Sequence, residues 1–138
     1  MIVEERATPA TARRTTIVLA DDHRIVRSSL RFLLEADEEF EVVAEAGEVE
    51  EAVRKVRAYK PQVLVLDLGM PGIDGYEVIR RVKEMPGTAD MLVVALTGWG
   101  QAEDRRRTAE AGFDCHVVKP LESKTLAELL AKLDASVL

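Results

Sequence analysis

Residues 60–75 read KPQVLVLDLGMPGIDG, and this stretch decides the fold. Residues 63–66 form a short apolar run that leads directly into a carboxylate, Asp67, and turn-forming residues follow. An apolar run bounded by turn residues is typical of a central parallel strand that is covered on both faces. Ligands of open parallel sheets bind just beyond the carboxyl ends of the strands. Asp67 is therefore a candidate functional residue; the alternative role of helix cap suits Asp74 better.

The rest of the chain alternates apolar strands with amphipathic helices. At this spacing the alternation predicts a parallel sheet between two helix layers, with right-handed crossovers. The expected fold is a flavodoxin-like, doubly wound, three-layer αβα sandwich with five strands and five helices. Residues 1–14 show no periodicity and are expected to form a flexible tail before one domain of residues 15–138. The predicted strands are 15–20, 40–46, 63–66, 91–96 and 115–118, and the predicted helices are 23–36, 49–59, 75–85, 101–111 and 123–134.

Apolar residues at helical spacing predict which helix faces are buried. The third helix should turn Val78, Ile79 and Val82 inward. The buried face of the first helix is predicted to contain Val26, Leu30, Leu33 and Leu34, and that of the second Val49, Ala52, Val53 and Val56.

Composition bounds the class of protein. The chain has 138 residues, enough for one domain with a real core, and a formal net charge of −6. This charge argues against a nucleic-acid-binding surface, and the basic run 105–107 is interpreted as the solvated face of a helix. No apolar stretch has membrane-spanning length, so no membrane contact is expected. The single cysteine, Cys115, cannot form an internal disulfide and is interpreted as an inert core thiol; a cytoplasmic location is expected.

Polar residues follow four of the predicted strands. They are Asp21 and Asp22, then Asp67, Thr97 and Lys119. Because parallel strands end at one edge, these side chains should be neighbours, although each alone could be a helix cap or a surface charge. Two like charges 4 Å apart repel by about 4 kcal/mol at an effective dielectric constant of about 20, so three acids need a cation or protons. Carboxylate oxygens favour Mg²⁺, and acids, Mg²⁺, a hydroxyl and a lysine together suit phosphoryl transfer.

Taken together, these motifs resemble the response-regulator receiver domain, the phospho-acceptor module of two-component signalling. The resemblance covers roughly residues 15–134. It rests on Asp21-Asp22, on Asp67 followed by Met70-Pro71 and Asp74-Gly75, on Thr97-Gly98 and on Lys119-Pro120.

The resemblance implies a role for each matched residue. Asp67 would be the nucleophile that takes the phosphoryl group. Asp22 would bind Mg²⁺ directly and Asp21 through water, with Asp67 and the backbone carbonyl of Gly69 completing the protein ligands. Thr97 and Lys119 would contact phosphoryl oxygens, and a cis bond before Pro120 would hold the lysine toward the site.

It also implies partners and a mode of action. The phosphoryl donor would be a sensor or hybrid histidine kinase or a histidine phosphotransfer protein. The domain would catalyse only its own phosphotransfer and autodephosphorylation, rather than act as an enzyme on other substrates. It would switch conformation and regulate a target protein through the face of the fourth helix, fifth strand and fifth helix, with phosphorylation-dependent dimerisation as an option. The chain is expected to be a stand-alone regulator, a receiver of a longer protein or a phosphorelay shuttle.

Two histidines lie at or beside positions that are important in the receiver family. His116 stands three positions before Lys119, where the family has an aromatic residue that follows the threonine during switching. A solvent-facing strand position is the ordinary expectation for a lone histidine; the alternative is an imidazole in the role of the aromatic ring, which would make switching sensitive to pH. His23, just past the acids, is expected to line the rim of the site rather than bind metal.

Three other functions fit the sequence less well. A phosphatase with an aspartyl nucleophile would need a second acid two residues after it, where Gly69 stands. A pseudo-receiver, which keeps the fold but only binds, would usually lack an acid or the lysine. A flavin- or nucleotide-binding protein would have a Gly- or Ser/Thr-rich phosphate loop after the first strand, where this chain has two acids.

Overall fold

The computed structural model describes residues 14–68, 75–97, 102–118 and 131. The predicted last helix apart from residue 131, the residues before 14, and Gly69 and Lys119 lie outside this part of the chain. The strands are β1 (Thr15–Ala20), β2 (Phe40–Ala46), β3 (Val63–Asp67), β4 (Leu92–Thr97) and β5 (Cys115–Val118). The helices among the described residues are α1 (Arg24–Glu35), α2 (Val49–Tyr59), α3 (Gly75–Lys83) and α4 (Ala102–Ala111).

All five strands pair in parallel, in the order β2-β1-β3-β4-β5. This is the strand order of flavodoxin-like doubly wound folds. The predicted fold class is therefore confirmed.

Strand β3 lies at the centre of the sheet and is covered on both faces. Leu64 and Leu66 pack into the core on one side, whereas Val63 and Val65 pack into the core on the other. All four are at most 1% exposed. A strand buried on both faces can be apolar at every position, which is why the run before Asp67 shows no polar alternation.

The helices supply the outer layers. Helix α1 packs on the face of Val63 and Val65, and helices α2 and α3 pack on the opposite face. The apolar stripes predicted for the second and third helices are confirmed, because every member is buried: Val49, Ala52, Val53, Val56, Val78, Ile79 and Val82.

The buried face of α1 is narrower than predicted. Leu30 and Leu34 are 2% and 0% exposed, Val26 is half-buried, and Leu33 is 36% exposed. Leu30 and Leu34 are four residues apart and lie nearly in line along the helix, while Leu33 is rotated about 100° from Leu34. The assignment of Leu33 to the buried face was wrong, since α1 meets the sheet along a single line of side chains.

The end of α3 also differs from the prediction. The helix ends at Lys83, two residues before the predicted end. The buried Thr88 hydroxyl donates to the carbonyl of Val82 at 2.5 Å and to that of Met85 at 3.0 Å. These bonds satisfy carbonyls at the helix end and turn the chain out of the helix.

Helix α4 is polar and ends in a left-handed turn. Gly112 has a φ of +108°, which glycine adopts without steric cost, and the Phe113 N–H donates to the Thr108 carbonyl at 3.0 Å. Arg106 and Arg107 are exposed, as predicted for the basic run, but the Arg107 guanidinium also lies 4.9 Å from the centre of the Tyr76 ring.

Within the described residues, no helix combines the length and apolarity that crossing a bilayer requires.

Candidate functional site

The acidic residues collect where the strand order reverses. Strands β1 and β3 pair with Ala20 opposite Leu66, so Asp21 and Asp67 come next on neighbouring strands. The chain runs outward from β1 to β2 and then returns past β1 to β3. In doubly wound sheets this reversal opens a crevice at the carboxyl ends of the strands, where ligands bind.

Four side chains point into this crevice together. One oxygen from each of Asp21, Asp22 and Asp67 and a ring nitrogen of His23 all lie within 4.8 Å of one another. Asp21 and Asp67 are 2% and 3% exposed. The structure thus brings the three predicted acids together at close range and in partial isolation from water.

Arg27 anchors the loop that carries Asp21. Its Nη1 donates to the Asp21 carbonyl at 2.7 Å, and its Nε donates to Glu45 Oε1 at 2.9 Å. The Asp21 N–H donates to the Ala46 carbonyl at 3.0 Å, so β2 holds the same residue. The sequence analysis did not identify Arg27; the only signal was an acid, Glu45, in the next-to-last position of a strand whose other acid, Glu41, is exposed.

Glu45 is the centre of this ion-pair network. It also accepts a hydrogen bond from Arg31 Nη1 at 2.5 Å, and its side chain is 24% exposed. Burial raises the pKa of Glu45, but hydrogen bonds from Arg31 and Arg27 outweigh burial and hold the pKa below its usual value. A carboxylate with a lowered folded-state pKa contributes stability above its unfolded pKa and loses it as the pH falls through the folded pKa.

We therefore expect Glu45→Gln to lower the free energy of unfolding by about 1–2 kcal/mol at pH 7. This loss of stability should become smaller as the pH falls below about 4.3, the pKa of a glutamate in the unfolded chain. At such pH the carboxylate of the wild-type protein becomes protonated and loses the contribution that the variant lacks at every pH. Urea unfolding between pH 3 and 7, compared on the same strand with the exposed Glu41→Gln, would measure this. A loss that does not depend on pH would show that Glu45 acts by packing alone.

Close packing fixes the chain on either side of Asp67. The Leu68 N–H donates to the Leu96 carbonyl at 2.9 Å, which extends the pairing of β3 with β4 past Asp67. Gly75 begins α3 against Leu68, and a Cβ at Gly75 would lie 2.6 Å from Leu68 Cδ2. Gly75 therefore allows α3 to begin close to the strand end.

Thr97 lies at the end of the neighbouring strand. Asp67 pairs with Leu96, so Thr97 is one residue beyond the level of Asp67, and it is 5% exposed. Thr97 in turn pairs with Val118, the residue before Lys119. The positions of Lys119 and Gly69 relative to the acids lie outside the described residues.

His23 lies over the acids at the entrance of the crevice. Its backbone N–H donates to Asp21 Oδ1 at 2.8 Å. Its Nδ1 is 3.1 Å from Asp21 Oδ1, 3.3 Å from Asp22 Oδ1 and 3.9 Å from Asp67 Oδ2, while the side chain is 64% exposed. His23 is thus on the rim, as expected, but its ring nitrogen reaches all three carboxylates.

His116 does not simply face solvent. It is half-buried on β5, and its Nδ1 lies 3.0 Å from the Thr108 hydroxyl oxygen on α4. The solvent-facing expectation was therefore wrong. Cys115 is also half-buried and packs beside the core, in agreement with its interpretation as a packed thiol.

The donor set of the crevice fits a hard divalent cation. Three carboxylates supply the oxygen ligands that Mg²⁺ prefers, and their mutual repulsion falls when a cation is bound. Asp22 Oδ1 is buried without a hydrogen-bond partner among the described residues, although it lies close to His23. A buried carboxylate oxygen in this state is free to act as a metal ligand.

Comparison with known proteins identifies the class. The family model for the response regulator receiver domain matches residues 17–131. Chemotaxis protein CheY of Halobacterium salinarum is 32% identical over 115 residues, which cover 83% of this chain and 92% of that protein. A crystal structure of a LuxR-family two-component response regulator from Aurantimonas sp. SI85-9A1 superimposes with a TM-score of 0.79 at 31% identity, covering 88% of this chain and 86% of the other.

The chain belongs to the response-regulator receiver domain family, and its function is that of a receiver domain in two-component signalling. It is also similar to the DNA-binding transcriptional activator DevR/DosR of Mycobacterium tuberculosis, with 38% identity over 120 residues. That match covers 86% of this chain but only 54% of DevR/DosR, so the chain spans about half the length of that relative.

Proposed function

We propose that this receiver domain accepts a phosphoryl group on Asp67 from a phosphohistidine of a sensor or hybrid histidine kinase or a histidine phosphotransfer protein. The observation that carries the proposal is the convergence of Asp67, 3% exposed, with Asp21 and Asp22 at the topological switch point. A carboxylate at the end of a strand, beside other acids, is a nucleophile that a cation can bring next to a phosphoryl group.

The transfer balances without another reactant. A carboxylate oxygen of Asp67 attacks the phosphorus atom, a phosphorus–oxygen bond forms, and the phosphorus–nitrogen bond to the donor imidazole breaks. The departing imidazole takes a proton from solvent. Hydrolysis of the acyl phosphate by water later restores Asp67, so the protein would catalyse only its own phosphorylation and dephosphorylation.

Mg²⁺ would be held by Asp22 and Asp67, with Asp21 acting through water and the Gly69 carbonyl as a further ligand. When bound, the ion would neutralise charge on the transferring phosphoryl group. Thr97 and Lys119 would contact the phosphoryl oxygens. The place of Thr97 at the end of the strand next to Asp67 supports its part in this assignment.

The signal would leave through α4, β5 and the predicted last helix. A change at Thr97 can reach this face because β4 pairs with β5, and the Thr108–His116 contact joins β5 to α4. A target protein would bind there. We place the domain in the cytoplasm, where a lone half-buried thiol such as Cys115 is normally reduced.

Intact mass after incubation with acetyl phosphate tests the proposal. We expect a gain of one phosphoryl group that requires Mg²⁺ and is lost when the ion is chelated. Asp22→Asn should reduce the gain by tenfold or more at limiting Mg²⁺, on the order of the effect of weakening a metal site. If the folded wild-type protein gains no phosphoryl group at any Mg²⁺ concentration, the proposal is wrong and the domain acts by binding alone.

A further inference from the structure

We infer that His23 Nδ1 is a fourth ligand of the acidic site, which makes it a mixed nitrogen and oxygen site for borderline divalent ions such as Zn²⁺ and Co²⁺. This inference rests on the proposed metal site and adds a residue that the assigned ligand set does not contain. The crevice would then hold two kinds of cation, Mg²⁺ on oxygen alone and a transition ion on oxygen and imidazole.

The distances carry the inference. In a complex with metal–ligand bonds of about 2.1 Å, two ligand atoms are about 3.0 Å apart at a right angle and about 3.4 Å apart at the tetrahedral angle. His23 Nδ1 is 3.1 Å from the nearest oxygen of Asp21 and 3.3 Å from that of Asp22. The third oxygen, on Asp67, is 3.9 Å away, which is within the distance of about 4.2 Å that two ligands on opposite sides of such an ion can span.

The backbone around His23 holds the imidazole at these distances from the acids. The residue precedes α1, and its backbone N–H is held by Asp21 Oδ1 at 2.8 Å. The ring is therefore tied to the same loop as two of the acids, and that loop is anchored by Arg27. In the metal-free protein the 3.1 Å contact between Nδ1 and Asp21 Oδ1 is a hydrogen bond. Ligation would replace this bond, with the Nδ1 lone pair on the ion and the ring proton on Nε2.

The chemistry of the donor set predicts the selectivity. Imidazole favours Zn²⁺, Co²⁺ and Ni²⁺ over Mg²⁺, which prefers oxygen ligands and retains water. Because both classes of ion would use the same carboxylates, Zn²⁺ and Mg²⁺ should compete. Only the binding of transition ions should depend on His23.

Titration calorimetry with Zn²⁺, Co²⁺ and Mg²⁺ tests this on the full chain. We expect His23→Gln to weaken Zn²⁺ and Co²⁺ binding by about tenfold or more, while Mg²⁺ binding changes by less than about threefold. The only other histidine offers a matched control, and His116→Gln should leave all three affinities unchanged. Nitrogen-15 NMR of the imidazoles provides a direct measurement, in which Zn²⁺ should shift Nδ1 of His23 and leave that of His116 in place.

The outcomes separate this inference from the proposed function. Equal weakening of Mg²⁺ and Zn²⁺ in His23→Gln, or an unchanged Nδ1 signal, would overturn the ligand assignment, since His23 would then only support the loop. Phosphorylation with Mg²⁺ would still stand in that case. If no ion bound to the wild-type protein and Asp67→Asn behaved identically, the metal site itself would fail.

Discussion

Asp67→Asn is expected to abolish Mg²⁺-dependent phosphorylation and also to stabilise the metal-free protein. An amide is not a nucleophile toward the phosphoryl group, so the first effect should be complete. The second follows from burial, because Asp67 is 3% exposed and carries an oxygen within 4.8 Å of oxygens on Asp21 and Asp22. In the metal-free protein their repulsion is not offset by a cation.

Coulomb's law bounds the expected increase in the free energy of unfolding of the metal-free variant. A pair of like charges 4 Å apart costs about 4 kcal/mol at an effective dielectric constant of about 20, and the hydrogen bond that the His23 backbone N–H donates to Asp21 reduces this cost. We expect the free energy of unfolding of Asp67→Asn to exceed that of the wild type by about 1–3 kcal/mol in the presence of a chelator. Saturating Mg²⁺ should stabilise the wild type strongly and the variant little, because stabilisation by a ligand grows with its affinity.

Urea unfolding with chelator and with Mg²⁺, together with intact mass after acetyl phosphate treatment, measures both effects. Glu41→Gln is the matched control, since it removes one negative charge at an exposed position of β2 and should change stability by less than about 0.5 kcal/mol. A variant that is still phosphorylated at Mg²⁺ concentrations that suffice for the wild type would disprove the assignment of Asp67. A variant that is less stable than the wild type in chelator would disprove the repulsion argument.

The sequence predicted most accurately the features that depend on local pattern and on the geometry common to all parallel sheets. Strand β3 was found because a strand covered on both faces is apolar throughout, and Leu64 to Leu66 are at most 1% exposed. The convergence of Asp21, Asp22 and Asp67 follows from the fact that parallel strands end at one edge. Neither inference needs knowledge of how particular side chains pack.

The features that sequence analysis missed depend on contacts between distant parts of the chain. Arg27 reaches Glu45, 18 residues later, and no periodicity reports such a pair. The early end of α3 depends on the Thr88 hydroxyl, which lies beyond the helix. His116 was expected to face solvent. Its contact with Thr108 could not be foreseen, because that contact requires the packing of α4 against β5. In each case a contact between distant residues determined a local feature that the sequence pattern alone left open.

Helix α1 provides a direct test of how far local pattern predicts burial, since periodicity assigned Leu33 and Leu34 to the same buried face. Leu34 is 0% exposed within the core against β1 and β2, whereas Leu33 is 36% exposed. Removing a fully buried leucine side chain costs its transfer free energy and leaves a cavity. We expect Leu34→Ala to lower the free energy of unfolding by about 2–5 kcal/mol.

Leu33→Ala is the matched control, because it is the same substitution one residue earlier in the same helix. Its expected cost is below about 1 kcal/mol, since part of the side chain already contacts water and alanine favours the helix. Urea unfolding of both variants, in the presence of chelator, gives the comparison. Equal losses would mean that α1 buries a broad face, as its periodicity suggested; a large loss in Leu34→Ala alone would mean that a single line of side chains attaches the helix that follows Asp21 and Asp22 to the sheet.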